Sequence, residues 1–251
     1  MQDGIQWLVD LDDWMSSVVF ARGISPQELA VRMGGAAEAA TEPITDAEVN
    51  ELGMIGYRPD GDGDGVVRVG ACGDWSFALE YGDSTGGDRL TEISRNGVEV
   101  IHYLPMSARP PATVRYARDG RYVCGFGFME EHRRWGAEPD LLLAELVAAG
   151  VLAPDGETYC APEDEHYKIT YRRSLAVVEA HFGLSLSPAY LNEARLPAYA
   201  VRGTPRMNTQ ADPDLDTIRS WAQAQGYTVD GIGPKRVPAD IREAYDRATG
   251  I

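Results

Sequence analysis

Ala112-Thr113-Val114-Arg115-Tyr116-Ala117-Arg118-Asp119-Gly120-Arg121-Tyr122-Val123-Cys124-Gly125-Phe126-Gly127-Phe128 is the stretch that decides the fold. β-Branched and aromatic residues on both sides of an Asp-Gly pair predict two strands, Ala112–Arg118 and Tyr122–Phe128, joined by a tight hairpin turn. Working outward, the same residue types predict strands at Ser17–Ala21, Val66–Ala71, Trp75–Tyr81, Glu99–Leu104 and Pro197–Val201.

Helix starts with a stated mechanism fall between these strands. Ser25-Pro26-Gln27-Glu28 offers Ser25 as N-cap, Pro26 at the first helical position and Glu28 as the returning member of a capping box, with Gly34-Gly35 as the stop. Thr45-Asp46-Ala47-Glu48 repeats the capping signal before a short helix to Leu52, and a strand is read around Met54–Tyr57. Further helices are expected at Ile5–Trp14, Asp88–Arg95, Leu141–Ala149 and Tyr171–Phe182, with a short one from Ser187-Pro188; Asn96-Gly97 and Gly183 are left-handed stops. Residues 155–166 are polar and acidic and read as a loop. The result is an α+β class: a mixed, mainly antiparallel sheet with flanking helices, over residues 1–203.

Little in this body points to chemistry. Asp60-Gly61-Asp62-Gly63-Asp64-Gly65 has the spacing that opens a calcium loop, but its twelfth position is Ala71 where a bidentate Glu is required, so an exposed hairpin loop is the reading. Gly125-Phe126-Gly127-Phe128 lies late in a strand and reads as close backbone packing. His132 has charged company in Glu130-Glu131-His132-Arg133-Arg134 and reads as a solvated loop; His166 sits in an acidic loop, and His102 and His181 have structural positions. No nucleophile elbow, Walker loop, H-E-x-x-H or paired C-x-x-C occurs. No catalytic residue, metal ligand or cofactor is therefore assigned, and a non-enzymatic protein is expected.

Composition bounds the setting. The chain has 251 residues, three widely spaced cysteines, no run of eighteen apolar residues and no basic-then-apolar start, which predicts a cytoplasmic protein with free thiols and no membrane span. The formal net charge is −16. Any contact with nucleic acid must then be local and salt-sensitive.

After Thr204–Pro213, read as a linker, residues 214–251 form a small helix–loop–helix unit. Ile218, Trp221 and Ala222 share one helical face, Gly226 stops that helix, and Pro238 suits the first turn of a second helix carrying Ile241, Ala244 and Tyr245. So small a core displays the loop between its helices.

Three segments carry a family likeness: Ile218-Arg219-Ser220-Trp221-Ala222, Gly226-Tyr227-Thr228-Val229 and Arg236-Val237-Pro238-Ala239-Asp240-Ile241, followed by Ala244-Tyr245. They resemble the C-terminal DNA-binding domain of bacterial histone-like nucleoid-structuring proteins. The resemblance implies that the loop enters the minor groove of A·T-rich DNA, with Pro234, Lys235, Arg236, Val237 and Arg219 as the contact residues. Where that family has Arg-Gly-Arg, this chain has Pro234-Lys235-Arg236, which implies binding weaker than that of the family or lost, with Lys235 pointing outward to a phosphate. The same outline is similar to peripheral subunit-binding domains, which implies the alternative of a protein partner gripped through Trp221 and Tyr245.

The body resembles an uncharacterised bacterial domain family. The likeness rests on Trp14 through Phe20-Ala21-Arg22-Gly23-Ile24-Ser25-Pro26, on Gly73-Asp74-Trp75, on Arg134-Trp135-Gly136 with Pro139-Asp140, and on Phe182-Gly183-Leu184 to Leu191. It implies an α+β fold and no chemistry. The body is expected to supply oligomerisation or a binding surface.

Overall fold

The computed structural model describes residues 4–10, 17–40, 42–51, 64–81, 85–105, 111–160, 162, 165–202, 215–227 and 239–249. Among them, eight strands form one sheet: β1 (Val18–Arg22), β2 (Gly35–Ala40), β3 (Asp64–Cys72), β4 (Trp75–Tyr81), β5 (Glu99–Leu104), β6 (Thr113–Arg118), β7 (Arg121–Gly127) and β8 (Ala198–Arg202). Their order across the sheet is β2-β8-β3-β4-β1-β5-β6-β7 and every ladder among the described residues is antiparallel. The deciding hairpin closes through Asp119 and Gly120 at φ 51° and 77°, so that Arg118 pairs with Arg121. Positive φ at both central residues matches the right-handed twist of the flanking strands.

Side chains alternate across a strand, and β4 uses the alternation to separate sizes. Trp75, Phe77, Leu79 and Tyr81 join one core with Val18 and Phe20 of β1 and Ile101 and Tyr103 of β5. That face is covered by a 3-10 turn at Gln6–Asp10 and by helices contributing Leu146, Tyr171, Leu175, Phe182 and Leu191. The opposite face is lined by small residues, among them Val19, Ala21, Ala78 and Val100, and receives Leu29, Met33, Leu90 and Ile93. Both faces are thus buried, and all seven residues of β4 are inaccessible. Removing one of the large side chains, such as Phe20, would cost about 3–5 kcal/mol by loss of transfer energy and the cavity left behind.

The helices in chain order are α1 (Pro26–Arg32), α2 (Asp46–Glu51), α3 (Thr85–Asp88), α4 (Leu90–Ile93), α5 (Leu143–Ala148), α6 (Tyr167–Phe182), α7 (Pro188–Glu193), α8 (Leu215–Ala224) and α9 (Ala239–Thr249). The Thr45 capping box is complete: Thr45 Oγ1 accepts from Glu48 N at 3.3 Å and Glu48 Oε2 accepts from Thr45 N at 2.8 Å. At α1 only half the box forms. Ser25 Oγ accepts from Glu28 N, but the Glu28 carboxylate accepts from Arg32 Nε at 2.9 Å, one turn ahead, instead of turning back.

Other expectations need correction. α6 begins four residues earlier than Tyr171, because His166 serves as its N-cap, its Nδ1 accepting from Lys168 N at 3.3 Å. The helix expected over Asp88–Arg95 is two short ones with Arg89 between them. α5 starts at Leu143, since the residues before it are hydrogen-bonded to the edge of β7, Glu138 N donating to Val123 O at 2.8 Å. The opening helix is a 3-10 turn, anchored where Trp7 Nε1 donates to the Leu186 carbonyl at 2.7 Å. Strand β2 was not expected at all. The strand around Met54–Tyr57, the calcium-like run through Gly63, Trp14 and the whole linker lie outside the described residues.

One buried cation ties the sheet to its covering helices. Arg68 on β3 is fully inaccessible, and all five of its N–H groups find acceptors: Ile44 O, Asp46 Oδ1, Tyr81 Oη, Leu191 O and Ala194 O. A charge this deep persists only because its donors are fully matched. The chain divides into two compact units, Met1–Thr204 and Pro205–Ile251. No helix among the described residues is long and apolar enough to cross a membrane.

Candidate functional site

In the second unit, Ile218 and Ala222 of α8 meet Ile241 and Tyr245 of α9 in a core of their own, with Trp221 packed against it. The Trp221 and Tyr245 rings are edge-to-face at 5.3 Å, and Tyr227 stacks on Trp221 at 5.9 Å. Gly226, at φ 82°, lets the chain leave α8, and Tyr227 N donates back to Ala222 O at 2.9 Å. Tyr245 is therefore core, 7% exposed, whereas Tyr227 is 41% exposed. Pro234, Lys235, Arg236 and Val237 lie outside the described residues, and of Arg219 only the backbone, within α8, is described. A cleft of about 380 Å³ runs beside Trp221, Tyr227, Ala244 and Arg247.

Beside the Arg68 network, three polar centres stand out among the described residues of the body. At the first, Glu80 of β4 is buried and accepts from Ser17 Oγ at 2.5 Å, Thr85 Oγ1 at 3.1 Å and Gly86 N at 2.7 Å, with His102 Nε2 at 3.5 Å. Burial by itself would raise its pKa, but His102, the Ser17 hydroxyl and the Gly86 amide together hold it below the ordinary carboxylate value. His102, read from sequence as an ordinary strand residue, is half of a buried carboxylate–imidazole pair.

At the second centre, sequence drew attention to His132, yet His132 is exposed and its neighbour Glu131 is fully buried. Ser174 Oγ donates to Glu131 Oε1 at 2.6 Å, while Oε2 has no hydrogen-bond partner among the described residues. Burial accordingly raises the Glu131 carboxyl above its usual range, against the opposing pull of Ser174.

The third centre is a cleft of about 200 Å³ at one end of the sheet. Its floor includes Arg22, Glu99, Tyr116 and Arg118 from β1, β5 and β6; its wall includes Glu138 and, from the C-terminal end of α6, His181 and Phe182. Burial, and secondarily Glu99, pushes the Tyr116 hydroxyl up to about 12. His181 Nδ1 lies 2.9 Å from Glu145 Oε1, outside the lining.

Burial pushes the thiols of Cys72 and Cys124 to about 12 and about 11, far from the thiolate that reacts. Among the described residues no three His, Cys, Asp or Glu side chains are grouped to hold a metal ion.

The sequence matches the family of unknown function DUF6461 over residues 6–206. The chain belongs to this family. The matched span covers the sheet and its covering helices, while α8 and α9 lie beyond it. No curated protein and no solved structure matches the chain.

Sequence reasoning missed Arg22, Glu99, Arg118, Glu138 and His181 as a group. They are scattered over 160 residues and only strand register and the 134–140 segment bring them to one cleft. The one available signal was that Arg22 falls within the Phe20–Pro26 stretch by which the body resembles its family.

Proposed function

We propose that the protein is a non-enzymatic DNA-associated protein that touches A·T-rich duplex through the loop Pro234-Lys235-Arg236-Val237, supported by Arg219, while the family domain provides partner binding or oligomerisation. One observation supports the reading: Ile218, Ala222, Ile241 and Tyr245 pack into a core of their own, so the two helices form a unit that presents a short connecting sequence. Lys235 and Arg236 are the cations of the sequence between the two helices. Cations at a narrow, electronegative minor groove bind A·T-rich tracts with coarse base discrimination. The resemblance to the nucleoid-structuring domain adds the same expectation independently.

The test is fluorescence anisotropy of the full chain on A·T-rich and G·C-rich duplexes of equal length. The expected result is preference for the A·T-rich duplex, lost in the Lys235→Ala, Arg236→Ala double variant with folding retained. Equal affinity for both duplexes, or an unaffected variant, removes the proposal.

A second reading has its own observation. Exposed Tyr227 and half-buried Trp221 border the cleft beside α9, a surface that a protein partner fits. Under that reading Trp221 acts with Tyr227, because Tyr245 is inaccessible. Association that persists at high salt and is lost in Tyr227→Ala would favour it.

A further inference from the structure

Strand register aligns one row of side chains across six strands of the sheet. Cys72 pairs with Trp75, Trp75 with Arg22, Arg22 with Glu99, Glu99 with Arg118, and Arg118 with Arg121. Adjacent strands are about 4.7–4.9 Å apart, so Arg22, Glu99 and Arg118 stand side by side along the floor of the 200 Å³ cleft.

Most of the charge there is internally matched. Arg22 Nη2 donates to Glu99 Oε2 at 2.6 Å, and the Arg22 guanidinium lies 4.7 Å over the Trp75 ring. Trp75 is itself fixed, its Nε1 donating to the Phe182 carbonyl at 3.2 Å. His181 is paired with Glu145. Two lining residues remain, Arg118 from the sheet and Glu138 from the covering segment. Both are exposed, and neither side chain is hydrogen-bonded or ion-paired among the described residues. The rest of the lining is Val123, Leu141 and Phe182, which are apolar, and the Tyr116 ring.

We propose that this cleft binds a small zwitterion, an α-amino acid with an apolar side chain, its carboxylate on Arg118 and its ammonium on Glu138. With Arg22 and Glu99 matched to each other, a simple anion on Arg118 would face Glu138, and a simple cation on Glu138 would face Arg118. A molecule carrying both charges is repelled by neither wall and places its hydrocarbon against Leu141 and Phe182. The volume agrees, lying below the range of roughly 300–1,000 Å³ that suits drug-sized ligands. Guanidinium is suited to the carboxylate because its planar fork matches two oxygens. The stretches that carry the family likeness also meet here: Arg22, Trp75, the 134–140 segment and Phe182.

The experiment is isothermal titration calorimetry of the full chain with L-leucine and L-phenylalanine, beside leucine methyl ester and N-acetyl-leucine. The free amino acids are expected to bind in the millimolar range or tighter. The ester, which lacks the carboxylate, and the N-acetyl compound, which lacks the ammonium, should each bind about tenfold more weakly, the lower end for a charge-assisted hydrogen bond. Arg118→Gln should abolish discrimination against the ester but not against the N-acetyl compound, and Glu138→Gln the reverse. Both residues are exposed, so folding should be preserved, which circular dichroism checks. No heat with either amino acid at millimolar concentration, or equal binding of ester and parent, overturns the proposal. So would a loss of both discriminations in a single variant, since the two charges of the ligand would then not be read by separate residues.

Discussion

Glu80 and Glu131 are both buried carboxylates, yet their pKa values move in opposite directions for a countable reason. Glu80 gathers two hydroxyls, a backbone amide and an imidazole; Glu131 has one hydroxyl and leaves Oε2 unmatched. Where donors are few, burial outweighs them and the carboxyl shifts upward. The Glu131 carboxyl is raised in the folded state, so its stabilising contribution is complete below the ordinary carboxylate range and is lost as pH rises through the raised value. Glu131→Gln keeps an oxygen for the Ser174 hydroxyl and carries no charge at any pH. The variant is therefore expected to match or exceed the parent in stability at pH 8, by on the order of 1 kcal/mol, and to lose that advantage near pH 4. Urea midpoints at the two pH values measure this. An advantage that does not change with pH would mean that Glu131 titrates alike folded and unfolded.

Between strands and helices, the outer edge of β7 shows how a covering segment protects a sheet. Trp135 exchanges hydrogen bonds with Gly125 at 2.9 Å, and Ala137 N and Glu138 N donate to Tyr122 O and Val123 O. The close approach needs glycine twice: a Cβ on Gly125 would meet the Trp135 ring at 2.8 Å, and one on Gly136, at φ 121°, would meet the Val123 carbonyl oxygen at 2.3 Å. Gly136→Ala should lift the segment and cost about 1–3 kcal/mol of backbone strain, more if the edge opens. It should also promote self-association through the bared strand, seen as a lower Tm together with larger species in light scattering. An unchanged Tm and a monodisperse variant would show that the segment is not held by this contact. The same edge explains what sequence could show. Strands rich in valine and aromatic residues, the Asp119-Gly120 turn and the Ser25, Thr45 and Ser187 caps were legible because each is a local preference. Gly35–Ala40 was not, since alanine and glycine carry no strand signal, and β2 forms by pairing with β8, far along the chain. The first turn of α6 was hidden because histidine is an unusual cap. The cleft was hidden for a third reason, that register alone joins Arg22, Glu99 and Arg118.

Over the whole chain, charge sets the terms for the proposed DNA contact. Residues 211–251 hold five basic and seven acidic residues, a net of −2, so with −16 in all the remainder carries −14. Lys235 and Arg236 can neutralise about two phosphates, which corresponds to a slope of log affinity against log salt near −1.8 and to about a tenfold loss between 50 and 200 mM salt. The acidic remainder works against binding most strongly at low salt, and its repulsion is screened beyond about 10 Å at 0.1 M. Raising salt thus weakens the opposing force along with the favourable one. The full chain should show a slope no steeper than about −2.7, the value for three phosphates once Arg219 is added, and the Lys235→Ala, Arg236→Ala variant one no steeper than the about −0.9 left to Arg219. Anisotropy titrations on one A·T-rich duplex over that salt range measure it. A slope near that of six phosphates would assign the contact to cations outside the loop and end the minor-groove reading. With a contact so small, useful occupancy requires several copies on one duplex, because linked sites multiply a weak affinity without any new contact. Binding should therefore strengthen with duplex length if the family domain oligomerises, and depend only on the number of sites if it does not.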